Sequence, residues 1–382
     1  MPTDNLAQAV RASLIAHNTE TGHAWTFGTN YDKKGTEFET YVNNYLFPKL
    51  NETVIIESVL GNRFNFLAKE VDFIGQYSEE YVILDSVPIE LDLSKNAELM
   101  LKRNYPKMAT KLYGQGILKK MKFTLNNNDT RLNFATIGDA ITYAVAVYKK
   151  KITDINVAEE AEIKAMLVDY AINQASDTRS VTSMEELFET LSEAILNLQN
   201  NSAKHNEADK ASGGALGRFT TNSKLSDLVI VTTDKVKRYL LNTFLANTVH
   251  AEGIDLSKII VSFDELGGAY RTTADVTVTA PMVSKLQTFG DYQVTVGDVI
   301  PKGYVFTYDV TDVINDVEEI KPESDLFAMV MDARSIRYKR FTKGMLKQPF
   351  YNGEFDEVTY WIHYYSFKAI SPFYNKVVIT GE

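Results

Sequence analysis

The segment EVTYWIHYYSFKAI, residues 357–370, limits most strongly what this chain can fold into. Its pattern alternates as in a strand, yet the side chains on both sides of the alternation are largely apolar or aromatic. A strand with one solvated face would not tolerate this pattern, whereas a strand covered on both faces would favour it. The segment therefore predicts a long buried strand, followed by a short closing strand in NKVVIT, residues 375–380.

The N-terminal residues carry a weaker pattern. Helical periodicity is visible from Leu6 to Ile15, and a polar stretch rich in aromatic residues follows at residues 25–38. We interpret residues 1–52 as an extended arm that contains a short amphipathic piece.

The next residues change to a period of two. In SVPIELDLS, residues 86–94, apolar side chains alternate with Pro88 and acidic residues, which predicts a strand with one solvated face. Pro88 favours an edge position because it cannot donate a ladder hydrogen bond. VIIESVL at 54–60 and RFNFLAKEVDFIG at 63–75 also have strand patterns, so a long exposed β ribbon is expected.

Helical patterns begin near residue 136. Thr136 is placed to cap a helix with Asp139 three positions later. Apolar positions then recur at helical spacing over 137–148 and again over 163–171, which indicates two helical stretches that could join as one long, broken helix, since the polar connection has no Gly or Pro. Ser183 with Glu186 forms a second capping box, and a further helix is expected over 187–198.

A loop and a strand-helix unit follow. Residues 199–224 are polar and contain glycine, which is typical of a loop. The apolar run LVIVT, residues 228–232, predicts a strand. Thr233 or Asp234 is then placed to cap a following helix. A short strand is expected at Ile259–Ser262, and the Val- and Thr-rich stretch 270–308 indicates a β insertion.

Composition excludes several classes of protein. The chain has no cysteine, so disulfides, thiolate metal sites and cysteine nucleophiles are excluded. The N-terminal sequence does not resemble a secretory signal and no long apolar span occurs, so a soluble chain without membrane contact is expected. The net charge of -10 has the wrong sign for general nucleic-acid binding.

The common catalytic motifs are missing from the sequence. It contains no phosphate-binding loop, no dinucleotide fingerprint, no nucleophile elbow and no helical zinc motif. The histidines show no metal-binding spacing on one helix, and they are His17, His23, His205, His250 and His363. We therefore predict no catalytic residues, no cofactor-binding residues, no metal ligands and no cofactor.

The glycine-rich stretch GGALGR, Gly213–Arg218, has two interpretations. Its backbone N–H groups could cradle a phosphate with help from Arg218. It lies within a polar loop and does not open a helix, which favours a surface loop.

Two charged groups also have a functional and a structural interpretation. Carboxylates could bind calcium or magnesium, but their spacing does not match a calcium loop and favours a solvated face; they are Asp309, Asp312, Asp316, Glu318 and Glu319. Basic side chains could contact DNA, but ordinary surface charge or salt bridges between subunits are favoured; they are Lys119, Lys120, Lys122, Lys149, Lys150 and Lys151.

Several segments resemble the coat proteins of phi-29-type podoviruses. Residues 104–150 are similar to the stretch that leads from the extended loop of that family into its long spine helix. LVIVTTDKVKRYLLNTFL resembles the unit that opens its axial domain, and FAMVMDARSIRYKRF resembles the returning strand. The C-terminal TYWIHYYSFKAISPFYNKVVITGE resembles its last strands, so the resemblance in element order covers almost the whole chain.

This resemblance implies an α+β fold of the Hong Kong 97 bacteriophage capsid type. The regions implied are an N-terminal arm at 1–52, an extended β loop region at 53–120, a peripheral domain with a spine helix at 121–224 and 345–382, and an axial domain at 225–344 with a β insertion at about 265–325.

The implied function is structural. We expect a non-enzymatic major capsid protein that assembles into pentamers and hexamers of an icosahedral head around double-stranded DNA. Scaffolding, portal and head-fibre proteins are implied partners, and the chain is expected in the virion after synthesis in the bacterial cytoplasm. An arm and a ribbon unable to bury their apolar faces within one subunit would agree with assembly. A nanocompartment shell of the same fold and a metal-dependent hydrolase are the alternatives.

Overall fold

The structure is a computed structural model of the protein. It describes residues 3–29, 37–46, 64–70, 78–86, 105–114, 116–126, 136–173, 177–208, 219–233, 235–239, 260–262, 270–288, 294–306, 309–319, 326–341, 350–352, 354 and 357–381. The helices are α1 (Thr3–Thr21), α2 (Glu37–Tyr41), α3 (Ile137–Asn173), α4 (Met184–Gln199) and α5 (Ala280–Thr288).

Short strands alternate with a few long ones. The strands are β1 (Ala68–Glu70), β2 (Ser78–Ile83), β3 (Met108–Tyr113), β4 (Ile117–Asn126), β5 (Thr178–Val181), β6 (Leu228–Thr232), β7 (Ile260–Ser262), β8 (Tyr270–Thr272), β9 (Val276–Thr277), β10 (Val299–Ile300), β11 (Val305–Phe306), β12 (Val317–Glu319), β13 (Leu326–Asp332), β14 (Ile336–Phe341), β15 (Phe350–Asn352), β16 (Glu357–Ile370) and β17 (Lys376–Gly381).

The long strand β16 is the centre of the first sheet. It pairs antiparallel with β4 along one edge, and with β14 and then β15 along the other, while β1 extends the sheet in parallel beyond β14. Val358, Tyr360, Ile362 and Tyr364 face a core shared with helices α1 and α3. One face of the strand is buried from Val358 to Ser366, whereas the opposite face is only partly covered and Tyr365 on it is 40% exposed. The prediction of a strand buried on two sides is therefore confirmed for one face and holds only in part for the other.

Helix α3 runs without a break for 37 residues. Thr136 and Asp139 form the predicted reciprocal cap, since the Asp139 N–H donates to Thr136 Oγ1 at 3.2 Å and the Thr136 hydroxyl donates to Asp139 Oδ2 at 2.7 Å. The connection between its two apolar patterns contains neither Gly nor Pro, so nothing interrupts the backbone ladder. The first half packs under β4 and β16, and the second half enters a separate core with β6, β13 and β17.

The second sheet has the order β5-β17-β13-β6-β7. Helix α4 covers it through Leu187, Leu191 and Leu198. Ser183 caps α4 as predicted, because its side chain accepts from the Glu186 N–H at 3.1 Å. The Glu186 carboxylate reaches back to the N–H of Thr182 at 2.8 Å, one residue earlier than a standard capping box.

The stretch from 270 to 319 forms a small unit with its own apolar core. Its short strands make two small antiparallel sheets, which are β8 with β11 and β12, and β9 with β10. Helix α5 packs into this core through Leu286. The β strands expected in this stretch are confirmed. Helix α5 was not predicted, because its apolar pattern is too short to show helical periodicity.

The N-terminal segment departs from the expected extended arm. Residues 3–21 are helical, and residues 37–46 form a second helical stretch. Val10, Leu14 and Tyr41 are buried in the same core as α3 and β16. The arm was expected to leave its apolar face uncovered within one subunit. For the described residues this expectation was wrong, because the apolar face packs on α3 and on the first sheet.

The arm also completes the start of α3. The N–H groups of Ile137 and Gly138 donate to the carbonyls of Thr29 and Phe27, at 2.9 and 3.1 Å. The first N–H groups of a helix have no partner inside the helix, so the arm satisfies two of them. A Cβ on Gly138 would lie 2.6 Å from the Phe27 oxygen, which explains the glycine.

Candidate assembly surface

Strands β2 and β3 form a two-stranded antiparallel ribbon that exposes apolar side chains. Side chains alternate between its faces, and one face is turned away from the rest of the subunit. On that outward face Tyr81 is 67% exposed, Ile83 59%, Met108 55% and Leu112 64%. Four large apolar side chains on one side of a ribbon make a contiguous surface suited to contact with another protein.

The inward face of the ribbon is tied to the first sheet by one buried carboxylate. Glu80 Oε2 accepts hydrogen bonds from the hydroxyls of Tyr113 and Ser371, both at 2.7 Å. Its other oxygen accepts from the guanidinium of Arg337. Charge-assisted hydrogen bonds of this kind are the stronger ones in proteins, so Glu80 fixes the ribbon on β14 and on the segment after β16.

Tyr113 is part of the same anchor. Its ring meets Phe367 of β16 edge to face, with centroids 6.3 Å apart. Burial, together with the adjacent Glu80 carboxylate, raises the pKa of Tyr113 well above its usual value. The hydroxyl therefore stays protonated and remains a donor to Glu80 throughout the physiological range.

A second attachment lies at the other end of the ribbon. Asp85 accepts from the backbone N–H of Thr220 at 3.1 Å and from its hydroxyl at 2.6 Å. Leu84 and Ala109 pack with Phe373 in a small apolar cluster. The ribbon is thus held at both ends while its outward apolar face stays exposed.

The lysines considered as DNA contacts are placed differently from one another. Lys119 Nζ lies 2.6 Å from Glu162, and Lys150 and Lys151 lie 2.7 and 3.4 Å from Asp154. These ion pairs are inside one subunit, so they join elements of the same chain. Lys120 and Lys122 are exposed on the outer face of β4.

The acidic group of the insertion has structural partners. Glu318 accepts from Arg271 at 2.7 and 3.1 Å, and Asp312 pairs with Lys285. Asp309 accepts from the Thr311 N–H at 2.9 Å. In the part of the chain that the structure describes, no group of three or more histidine or acidic residues could hold a metal ion.

The remaining candidates are separated in space or undescribed. His205 Nδ1 lies 3.0 Å from Asp177, which links the loop after α4 to β5. His17 and His23 lie together within the N-terminal segment, with ring centroids 5.5 Å apart. The GGALGR loop, His250, and the strands expected at 54–60 and 87–94 fall outside the described residues.

None of the described helices is long and apolar enough to cross a membrane.

An exposed ribbon with an uncovered apolar face was expected from the sequence, and β2 with β3 agrees with it, but the sequence did not indicate which residues form that face. Tyr81 and Ile83 alternate in β2, and Met108, Thr110 and Leu112 alternate in β3. Alternation alone does not tell which face is buried. Glu80 had no local signal, because the three groups that bind it come from distant positions.

The fold combines a long helix beneath a mostly antiparallel sheet, a second sheet of mixed direction, and an anchored ribbon with an exposed apolar face. Together these features define a structural subunit built for assembly. The family model described as Phi29-like phage major capsid protein matches residues 8–380, and the chain belongs to that family. Its fold is the Hong Kong 97 type, as the resemblance implied.

Curated relatives agree over nearly the full length. The chain is 62% identical over 383 residues to the major capsid protein of Staphylococcus phage S24-1, with 99% of this chain and 95% of the relative covered. It is 61% identical to that of Staphylococcus phage 44AHJD, with 99% and 94% covered.

Solved structures give the same result. A chain in the capsid structure of Staphylococcus phage Andhra has a TM-score of 0.78 and 62% identity, with 98% of both chains covered. A chain in the structure of the head fiber and inner core protein of native bacteriophage P68 has a TM-score of 0.74 and 60% identity, again with 98% of both covered. The protein is therefore a structural capsid component of the virion and not an enzyme. The expectation of a coat protein is confirmed over the nanocompartment and hydrolase alternatives.

Proposed function

We propose that the chain forms the pentamers and hexamers of an icosahedral head that encloses double-stranded DNA, and that the β2-β3 ribbon is a main contact between neighbouring subunits. The observation that carries this proposal is the outward face of the ribbon. Its apolar side chains are more than half exposed although its inward face is firmly anchored. Burying such a side chain contributes on the order of 1.5–3 kcal/mol.

The anchoring supports a role in assembly for a second reason. A flexible ribbon would lose conformational freedom when it docks, and that loss would oppose binding. Glu80 and Asp85 hold the ribbon before any neighbour arrives. Each contact can then be modest, because a closed shell repeats it many times.

The regions of the family fold can be proposed on this chain. The arm would be 1–52, the extended loop 53–120, the peripheral domain 121–224 with 345–382, and the axial domain 225–344 with its insertion at about 265–325. The long helix α3 supports the spine assignment. Strand β17 lies between β5 and β13, so the proposed peripheral and axial regions share one sheet.

Charge supports enclosure of DNA without tight binding. The chain carries a net charge of -10, and several of its lysines are already paired with acids. Counterion release by unpaired basic side chains is what gives proteins strong affinity for phosphates. We include scaffolding, portal and head-fibre proteins as partners, and synthesis in the cytoplasm of a bacterial host, as parts of the same proposal.

Electron microscopy of the overexpressed chain, with sedimentation of the same sample, tests the proposal. We expect closed shells, tubes or capsomer rings from the unaltered chain. The double variant Tyr81→Ser with Leu112→Ser should leave folded subunits that sediment slowly. Leu196→Ser is a matched control, because Leu196 is 61% exposed and belongs to α4, which packs on the second sheet. Normal shells from the ribbon variant, verified as folded by circular dichroism, would contradict the role of the ribbon.

A further inference from the structure

A buried histidine lies at the point where the arm packs on itself. His17 of α1 is 2% exposed. Four rings surround it, with centroid distances of 4.4 Å to Trp25, 5.1 Å to Tyr45, 5.3 Å to Tyr41 and 5.5 Å to His23. His17 itself lies in α1, whereas the four rings come from the turn after α1 and from residues 37–46, so His17 is the centre of the packing between the three segments.

The hydrogen bonding of His17 distinguishes it from an ordinary core histidine. Among the described residues, its Nδ1 has no hydrogen-bond partner. In the neutral ring this nitrogen can remain an acceptor without a donor, at modest cost. Protonation of both nitrogens would add a positive charge inside the ring cluster and would make Nδ1 a donor, for which the described residues offer no hydrogen-bond acceptor. The geometry therefore accommodates neutral imidazole far better than imidazolium.

We propose that His17 is a pH-sensitive latch, which holds α1 on residues 22–29 and 37–46 when neutral and loosens these segments when protonated. The arm contacts released in this way include the bond from Gly138 to Phe27 that completes the start of α3. Acid would thus act on the arm and on the first turn of α3 together.

The charged groups around the ring set the direction of the effect. Burial lowers the pKa of His17 from 6.5, and the neighbouring His23 lowers it further, while the Asn18 side chain and Glu37 act in the opposite direction. Glu20 of α1 accepts from the Tyr45 hydroxyl at 2.7 Å. Helix α3, β4 and β16 contribute apolar and tyrosine side chains to the core that α1 joins.

One effect opposes the latch and must be weighed. Aromatic faces attract cations, so Trp25 and the two tyrosines would stabilise imidazolium to some degree. The rings also exclude water, which leaves the protonated Nδ1 without a solvent acceptor. Because the folded-state pKa is lowered, the stabilisation from neutral His17 is fully present above about pH 6.5 and declines as pH falls through the folded value.

Hydrogen exchange of full-length chains in assembled shells, followed by mass spectrometry, tests the latch. Between about pH 7.5 and about pH 5, protection of peptides from α1 should fall roughly tenfold after correction for intrinsic exchange, while peptides from α4 stay constant. The variant His17→Phe keeps a ring in place without titration and should remove this dependence. His23→Gln is the matched control and should retain it.

Two results would overturn the latch: α1 protection that does not change with pH, or an equal change in His17→Phe and in the unaltered chain. If His17→Phe does not fold at neutral pH, His17→Gln takes its place with the same measurement and the same criteria. Failure of this test would leave the ribbon proposal untouched, because shell formation at neutral pH is measured separately.

Discussion

Lys119 Nζ lies 2.6 Å from Glu162 Oε2, so an ion pair joins strand β4 to the second half of helix α3. The Tyr338 hydroxyl donates to the same oxygen at 2.9 Å. Burial alone would raise the pKa of Glu162, but Lys119 and Lys368 together bring it below its usual value. The helix is therefore held against the first sheet by a carboxylate that stays charged.

Replacing Lys119 should expose the dependence of Glu162 on its partner. We expect Lys119→Met to lower the free energy of unfolding by about 1.5–3 kcal/mol, because it leaves a buried carboxylate short of a donor. Chemical denaturation of unassembled chains measures this. Glu162→Gln combined with Lys119→Met should cost less than the sum of the two single changes, and strict additivity would show that the pair is not coupled.

Glu80 should control the rigidity of the ribbon. Glu80→Gln removes the negative charge and places an amide NH₂ group against the donors that now bind the carboxylate. Hydrogen exchange in β2 and β3 should therefore become faster, and the yield of shells should fall. Glu79→Gln is the matched control, because Glu79 is the exposed neighbour on the outward face. Equal exchange rates in the two variants would contradict the anchoring role of Glu80.

The contact between the arm and α3 can be tested at Gly138. A methyl group there would lie 2.6 Å from the Phe27 oxygen, so Gly138→Ala should displace residues 27–29 and leave two helix N–H groups without partners. We expect a loss of about 2–4 kcal/mol in unfolding experiments, despite the higher helix propensity of alanine. Gly114→Ala meets nothing within 4 Å and should behave almost like the unaltered chain. A stabilised Gly138→Ala would mean that the arm does not cap α3.

Acid should weaken the link between the loop after α4 and strand β5. The hydrogen bond from His205 lowers the pKa of Asp177 below its ordinary value of 3.8, and Arg179 contributes in the same direction. Because the folded-state pKa is depressed, this stabilisation is present above about pH 3.8 and is lost as pH falls through the folded value. Thermal unfolding across this acid range should show a flatter pH dependence in Asp177→Asn, and an unchanged slope would count against this role.

Local signals account for what the sequence predicted correctly. Thr136 and Ser183 each start a helix through partners within three residues, so both caps could be located without a structure. The apolar pattern of β16 correctly predicted a long strand with a buried face, while its second face is covered only in part. The resemblance of successive segments to phi-29-type coat proteins added the family, which the comparisons confirm.

The tertiary structure decided which apolar faces are covered within the subunit. Val10 and Leu14 lie in the segment interpreted as an extended arm, yet α3 and the first sheet bury them. Tyr81 and Leu112 of the ribbon, by contrast, remain exposed. Capping and periodicity depend on residues a few positions apart. Burial depends on contacts between segments far apart in the chain, such as Glu80 with Arg337 and Ser371, and no local pattern encodes them.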